Sequence, residues 1–397
     1  MPSPDPSYPR GLIVAGACLV QFMVIGLMFG NGLFVKVFET EFEWSRTIVA
    51  TASSLTMLMM GVFAMGAGRL NDRYGPRIVL TISGVVYGVG YILLGQIDAI
   101  WQLFVIFGLF LALGMSTHDV VTLSVVARWF EGRRGIMTGV VKVGTAVGQI
   151  SIPPILAVLI GWLGWREAVV FLGIVAIVVL IVAAMLMRLP VRPAGQAAAP
   201  QTGMTYTEAK SGPVLWRLCL AQFLFFPILL TVPFHIVAHG MDLGLTRELA
   251  AILLSVSGAA SVVGRLIVGT FSDRIGGRNA YVMCFVPLIV ALFLLLFIDI
   301  PWMLYAVIGI YGFGHGGLFT VVSPTVAEFF GMRAHGAIFG TVLFCGTVGG
   351  AVGPILAGWI FDTTGSYFIA FATLAAFGIG ALMLILSLPR RGAVAVA

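Results

Sequence analysis

Charge is what this sequence has least of. Asp, Glu, Lys and Arg make up 10% of its 397 residues, against about 25% in soluble domains. With 60% hydrophobic residues and a mean hydropathy of +1.07, the chain is neither a water-soluble globular protein nor a disordered one. Short alternating segments are also missing, which excludes a β-barrel. Cysteine is scarce. Cys18, Cys219, Cys284 and Cys345 stand far apart inside apolar runs, without metal or disulfide spacing, and read as small core hydrophobes. No G-x-x-x-x-G-K-S/T loop, His-Glu-x-x-His or water-exposed Ser/His/Asp set occurs, so an ATP-driven pump or a membrane enzyme has no motif behind it. The chain is read as non-enzymatic, with no cofactor and no metal. No signal peptide is expected: Arg10 is the one cation before the first apolar run, which is too long for an h-region.

What is present is apolar sequence in twelve stretches: 11–35, 46–68, 78–97, 101–127, 135–160, 166–187, then 215–238, 248–270, 280–298, 301–327, 336–361 and 367–388. Each suits a spanning helix of about 20 residues. The Pro/Ala/Gly-rich stretch 188–213 between the two sets reads as a flexible cytoplasmic linker. The expected organisation is an all-α integral membrane protein. A six-helix bundle over 1–187 and a second over 214–397 flank the linker. The net charge of +6 is a topology signal. With both termini in the cytoplasm, sixteen Lys and Arg fall inside, while Lys36, Arg46, Arg166 and Arg247 fall outside. The expected location is the cell inner membrane, and nucleic acid is not needed to explain the charge.

The halves repeat. GRLNDRYGPR at 68–77 returns as GTFSDRIGGR at 269–278, an offset of 201 that also pairs Gly135 with Gly336, Gly139 with Gly340, Gly148 with Gly349 and Pro153 with Pro354. Two parallel six-helix halves are a transporter architecture. Asp72 and Asp273 fall at cytoplasmic helix ends, where a carboxylate near a positive helix N-terminus gains about 0.3–1 kcal/mol. With the neighbouring Arg73 and Arg274 they are candidates for a conformational latch; a solvated charged turn is the plainer alternative.

Few charges enter the spans, and each is costly unless it faces a cavity or a partner. Arg265 offers a planar fork that matches a carboxylate, although an arginine this near a span end can also snorkel. Ser257 and Ser261 share its helical stripe and can bond either a ligand or their own helix. Asp119 is the one carboxylate deep in a span, and Lys142 lies at similar depth on the next helix. They are expected to pair, as a structural clamp, or else as a proton-linked switch or a second cation for the substrate. His315 lies near mid-span one turn after Tyr311 and suits either packing or proton relay. His118 and His235 read as packing residues.

The G-x-x-x-D-R-x-G-x-R loop, present twice, resembles the signature of the major facilitator superfamily. Three further segments, NGLFVKVFETEFEWSR (31–46), ARWFEGRRGIMTGVVKVGTAVG (127–148) and SGAASVVGRLIVGTFSDRIG (257–276), resemble the monocarboxylate transporter branch and its oxalate–formate exchanger relatives. That resemblance implies that the eighth-span arginine, here Arg265, anchors the substrate carboxylate. Animal members of the branch carry an aspartate one turn earlier, where this chain has Ser261, and a first-span lysine whose place falls near Asn31. The eleventh-span lysine of oxalate exchangers has no counterpart.

The expectation is a monomeric secondary transporter of a small organic carboxylate, most simply a proton-coupled monocarboxylate symporter. Arg265, Ser261, Ser257, Asn31, Tyr311, His315 and Lys142 are the candidate substrate contacts, and Asp119 and His315 the candidate proton carriers. An organic anion exchanger needs no titrating group and is the first alternative. A drug–proton antiporter would favour a net-acidic core, and this core has one Asp against two cations. A non-transporting receptor leaves the two latch loops unexplained.

Overall fold

The computed structural model describes residues 8–44, 46–190, 203–298 and 300–389. Part of the expected linker (191–202) and the loop cations Arg192, Arg390 and Arg391 lie outside the described residues, as do the side chains of Lys36, Arg46 and Arg247. Apart from one isolated bridge between Gly203 and Gly331, regular structure among the described residues is helical, and twelve helical stretches are long and apolar enough to cross a membrane.

The first stretch comprises α1 (Arg10–Gly30) and α2 (Gly32–Phe42), with the break at Asn31. It runs past the expected end at 35 because Phe34, Phe38 and Phe42 recur every fourth residue and pack into one aromatic cluster. Phe38 lies 5.9 Å from Phe34 and 5.5 Å from Trp165, and Phe42 stacks on Trp44 at 4.5 Å. α2 ends at Glu43, in left-handed geometry. α3 (Arg46–Tyr74) and α4 (Pro76–Leu94) follow. The fourth stretch comprises α5 (Ile100–Val105), a π-helical turn (Ile106–Leu111), α6 (Ala112–Met115) and α7 (Thr117–Trp129). A π turn loosens the regular ladder, and the Phe107 carbonyl accepts the Thr56 hydroxyl at 2.9 Å.

α8 (Arg134–Leu163) and α9 (Trp165–Leu186) complete the first set. The linker stretch contains a short helix, α10 (Tyr206–Ser211), where an unstructured connection was expected. The physical reason is a capping box: the Thr205 hydroxyl accepts from the Glu208 amide, and the Glu208 carboxylate accepts from the Thr205 amide. The second set is α11 (Pro213–Asp242), α12 (Arg247–Ile275), α13 (Gly277–Phe297), α14 (Met303–Phe330), α15 (His335–Thr364) and α16 (Phe368–Leu386).

Contacts divide the chain into two units. The first comprises Met1–Glu131, Val140–Gly203 and Gly331–Phe344; the second comprises Gly132–Gly139, Met204–Phe330 and Cys345–Ala397. The first turns of α8 therefore pack in the second unit, and the first turns of α15 in the first. Within the first unit α9 packs on α4 and α1. Within the second, α14 packs on α12 and α13, and α16 on α11 and α13.

Candidate functional site

In the first unit the buried charges of α7 and α8 meet as expected: the Lys142 ammonium forms an ion pair with Asp119 Oδ1. Asp119 stands ten residues before the end of α7, about 15 Å along the axis. The pair is not alone. Gln21 on α1 donates through Nε2 to Asp119 Oδ1 at 2.8 Å and to the His118 carbonyl at 2.8 Å. Gln21 Oε1 accepts from Thr145 at 2.9 Å and from Lys142 at 3.5 Å. His118 Nδ1 lies 2.6 Å from the Met115 carbonyl, which can only accept, so Nδ1 carries a proton. His118 Nε2 faces Asp119 Oδ2 at 3.5 Å. Asp119 and Lys142 neutralise each other, so a proton added at this edge leaves the network with one net positive charge.

In the second unit Arg265 is 2% exposed and lies ten residues before the end of α12. It does not snorkel to water. Its guanidinium covers the Phe319 ring at 5.5 Å. Phe319 continues a column on α14, 5.2 Å from His315, which in turn is 5.4 Å from Tyr311. The four-residue spacing of Tyr311, His315 and Phe319 puts them on one helical face. His315 Nδ1 and Ser261 Oγ are buried without a hydrogen-bond partner among the described residues. Ser261 is one turn from Arg265, and Ser257 is buried one turn further. The Tyr311 hydroxyl is already committed, donating to the Ile228 carbonyl at 3.0 Å.

Of the expected substrate contacts, the fold gathers Arg265, Ser257, Ser261, His315 and Tyr311 on α12 and α14. Lys142 and Asn31 lie in the first unit. Asn31 Oδ1 accepts from Tyr91 at 2.9 Å, at the break between α1 and α2.

The two signature loops are built alike. Asp273 accepts the Gly135 amide at 2.7 Å through Oδ1 and the Ile136 amide at 3.1 Å through Oδ2. These are first-turn amides of α8, which lack intrahelical partners. In the other unit Asp72 receives the Ala337 amide of α15, the residue 201 after Ile136. It also receives Arg128 Nη2 at 2.6 Å. Gly135 and Gly336 make the approach feasible. A Cβ at Gly135 would meet Ser272 Oγ and the Gly269 carbonyl, and one at Gly336 would come within 2.8 Å of the Gly68 carbonyl. Arg73 and Arg274 are exposed; Arg73 lies over the Tyr74 ring at 5.1 Å.

Sequence reasoning passed over Gln21, Arg128 and His335. Gln21 was discoverable as an amide in the middle of an apolar span, a costly placement without partners. Arg128 was counted as a loop cation. His335, fully buried at the start of α15, meets Ser124 Oγ at 2.9 Å through Nδ1; it occupies the repeat position of Arg134, and nothing local in the sequence marks it.

Twelve candidate spanning helices in two related sets, with acidic loops seated on helix N-termini at the same place in each, are the architecture of a membrane transporter of small molecules. The chain belongs to the Major Facilitator Superfamily, whose family profile matches residues 17–354 and 240–396. It is 25% identical to monocarboxylate transporter 13 of Rattus norvegicus over 391 residues, covering 95% of this chain and 88% of the relative. It is 27% identical to the oxalate:formate antiporter of Oxalobacter formigenes over 381 residues, covering 90% and 88%. The fold matches the E. coli fucose:proton symporter with a TM-score of 0.73 at 14% identity, covering 95% of this chain and 99% of that one.

Proposed function

We propose that the protein carries a small organic carboxylate, most simply a monocarboxylate, together with a proton by alternating access in the cell inner membrane, with both termini cytoplasmic. The observation that carries this reading is the Arg265 guanidinium, buried mid-span on Phe319 and flanked by the unpartnered polar atoms of Ser261 and His315. A planar cation beside idle hydrogen-bonding atoms suits a carboxylate held by the fork and steadied by its neighbours. The names of the relatives support the same chemical class. Ser257 extends the polar stripe. Tyr311 supports the column by holding α14 to α11.

Carriage of the proton falls to Asp119 and, in place of the expected His315, to His118, whose ring lies against that carboxylate. With His118 Nδ1 on the Met115 carbonyl, the free positions are His118 Nε2 and Asp119 Oδ2, which face each other. A proton taken there loosens the hold of Asp119 on Lys142 and makes that ammonium available during the cycle. An exchanger is the second reading. It is favoured by the completeness of the Asp119–Lys142–Gln21 network, which can serve as a clamp alone.

The test is uptake of radiolabelled short carboxylates into proteoliposomes, with and without an acid-outside pH jump. Symport requires that the jump accelerate net uptake and that Asp119→Asn remove the acceleration while sparing anion–anion exchange. Uptake indifferent to the gradient but dependent on internal anion makes the protein an exchanger. Arg265→Lys keeps the charge and loses the fork. One lost charge-assisted hydrogen bond, about 1.5–3 kcal/mol, weakens binding by about 10–150-fold. Normal transport by Arg265→Ala would end the carboxylate-anchor reading.

A further inference from the structure

The way α1 packs on α8 recurs 201 residues later in the packing of α11 on α15. In the first unit Gly144 faces the Cys18 backbone, and Gly148, one turn on, faces Phe22. In the second unit Gly349 faces Phe223 and Gly353 faces Pro227. One turn before these contacts the same register places Cys219 opposite Cys345. Cys219 is the repeat of Cys18, and Cys345 is the repeat of Gly144.

The consequence is chemical. In the first unit the Cys18 thiol has a glycine opposite it and turns to the Val140 carbonyl at 3.7 Å. In the second unit a thiol stands where the glycine would be, and the register of the next two turns sets it facing Cys219 across the contact of α11 and α15. Both are free thiols; Cys219 is buried and Cys345 half-buried. A disulfide needs Cα atoms about 4.4–6.8 Å apart. Helices close enough for glycine-to-backbone contact over the next two turns approach that range. Sequence spacing hid the pair, since its members sit on the first and fifth helices of the second half.

We propose that Cys219 and Cys345 are a reversible disulfide site linking α11 to α15, oxidised by a hydroperoxide. The half-buried Cys345 is the sulfur the oxidant meets. Its Sγ takes the terminal oxygen of the hydroperoxide and becomes a sulfenic acid, while the O–O bond breaks and the alcohol leaves. Cys219 Sγ then attacks that sulfur. The S–S bond forms, the S–O bond breaks, and the hydroxyl departs with the Cys219 proton as water. Two thiols lose two hydrogens, and the hydroperoxide is reduced to alcohol and water. A small dithiol reverses the reaction by exchange.

The experiment uses the full chain in proteoliposomes. The protein is treated with cumene hydroperoxide, denatured, alkylated with a maleimide and digested for mass spectrometry. The expected result is a peptide pair joined through Cys219 and Cys345, with alkylatable thiols falling from the four of the sequence to the Cys18 and Cys284 pair, and full recovery after dithiothreitol. Cys345→Gly restores the residue of the first half and is expected to abolish the link; Cys219→Ala serves the same purpose from the other helix. Retention of both thiols in the treated wild type overturns the proposal, as does conversion of Cys345 to sulfinic acid with no linked peptide.

Discussion

The acidic loops make a quantitative claim that can be tested one carboxylate at a time. Asp273 holds two first-turn amides of α8, Gly135 at 2.7 Å and Ile136 at 3.1 Å, one on each oxygen. In Asp273→Asn one oxygen remains, and the other position presents an NH2 group to an N–H. One bond is lost and the survivor is no longer charge-assisted. A hydrogen bond to a charged group is worth about 1.5–3 kcal/mol and a neutral one about 0.5–1.5. With the helix-end charge contribution of about 0.3–1 kcal/mol, the variant loses about 3–5 kcal/mol of restraint, equivalent to a factor of about 150–4,000. Hydrogen exchange at Gly135 and Ile136 is expected to quicken by that factor. The distance between spin labels at Arg133→Cys and Asn279→Cys, in a background without native cysteines, is expected to broaden or shift. Asp72→Asn is expected to have the larger effect, because it also leaves Arg128, whose side chain is 10% exposed, facing a neutral amide. Breaking one partner of a largely buried pair costs about 3–5 kcal/mol. Unchanged exchange at residues 135–136 together with an unchanged label distance in Asp273→Asn would refute the idea that the carboxylate holds the helix end.

The polar network of the first unit gives further predictions. Gln21→Leu strips Asp119, Thr145 and the His118 carbonyl of a shared partner and is expected to lower stability by about 1–3 kcal/mol, read as a lower thermal midpoint in detergent. Lys142→Met alone should destabilise more than Lys142→Met combined with Asp119→Asn, since the single variant strands a buried carboxylate; equal midpoints would show that the pair carries no coupling. Gly336→Ala pushes a methyl toward the Gly68 backbone and is expected to cost about 1–3 kcal/mol by overpacking, whereas Gly365→Ala, at an open site with positive φ, acts through backbone strain alone.

The sequence by itself determined the twelve spans, the two related sets and the positions that carry charge into the membrane. Those follow from hydropathy and from an internal repeat, and both are local properties of the chain. It also determined that Asp119 and Lys142 lie at matching depth, because position along a helix converts directly to depth. Rotation about each helix axis was not legible in this way. Only the tertiary structure decided that Gln21 turns toward Asp119, that Arg128 rather than Arg73 pairs with Asp72, and that Phe319 carries Arg265. The same holds for Cys219 and Cys345: apolar residues surround every face of these spans, so hydropathy has no strong period to orient them. The packed partner chooses the face, through glycines where backbones touch and through polar atoms that must find one another where water is absent.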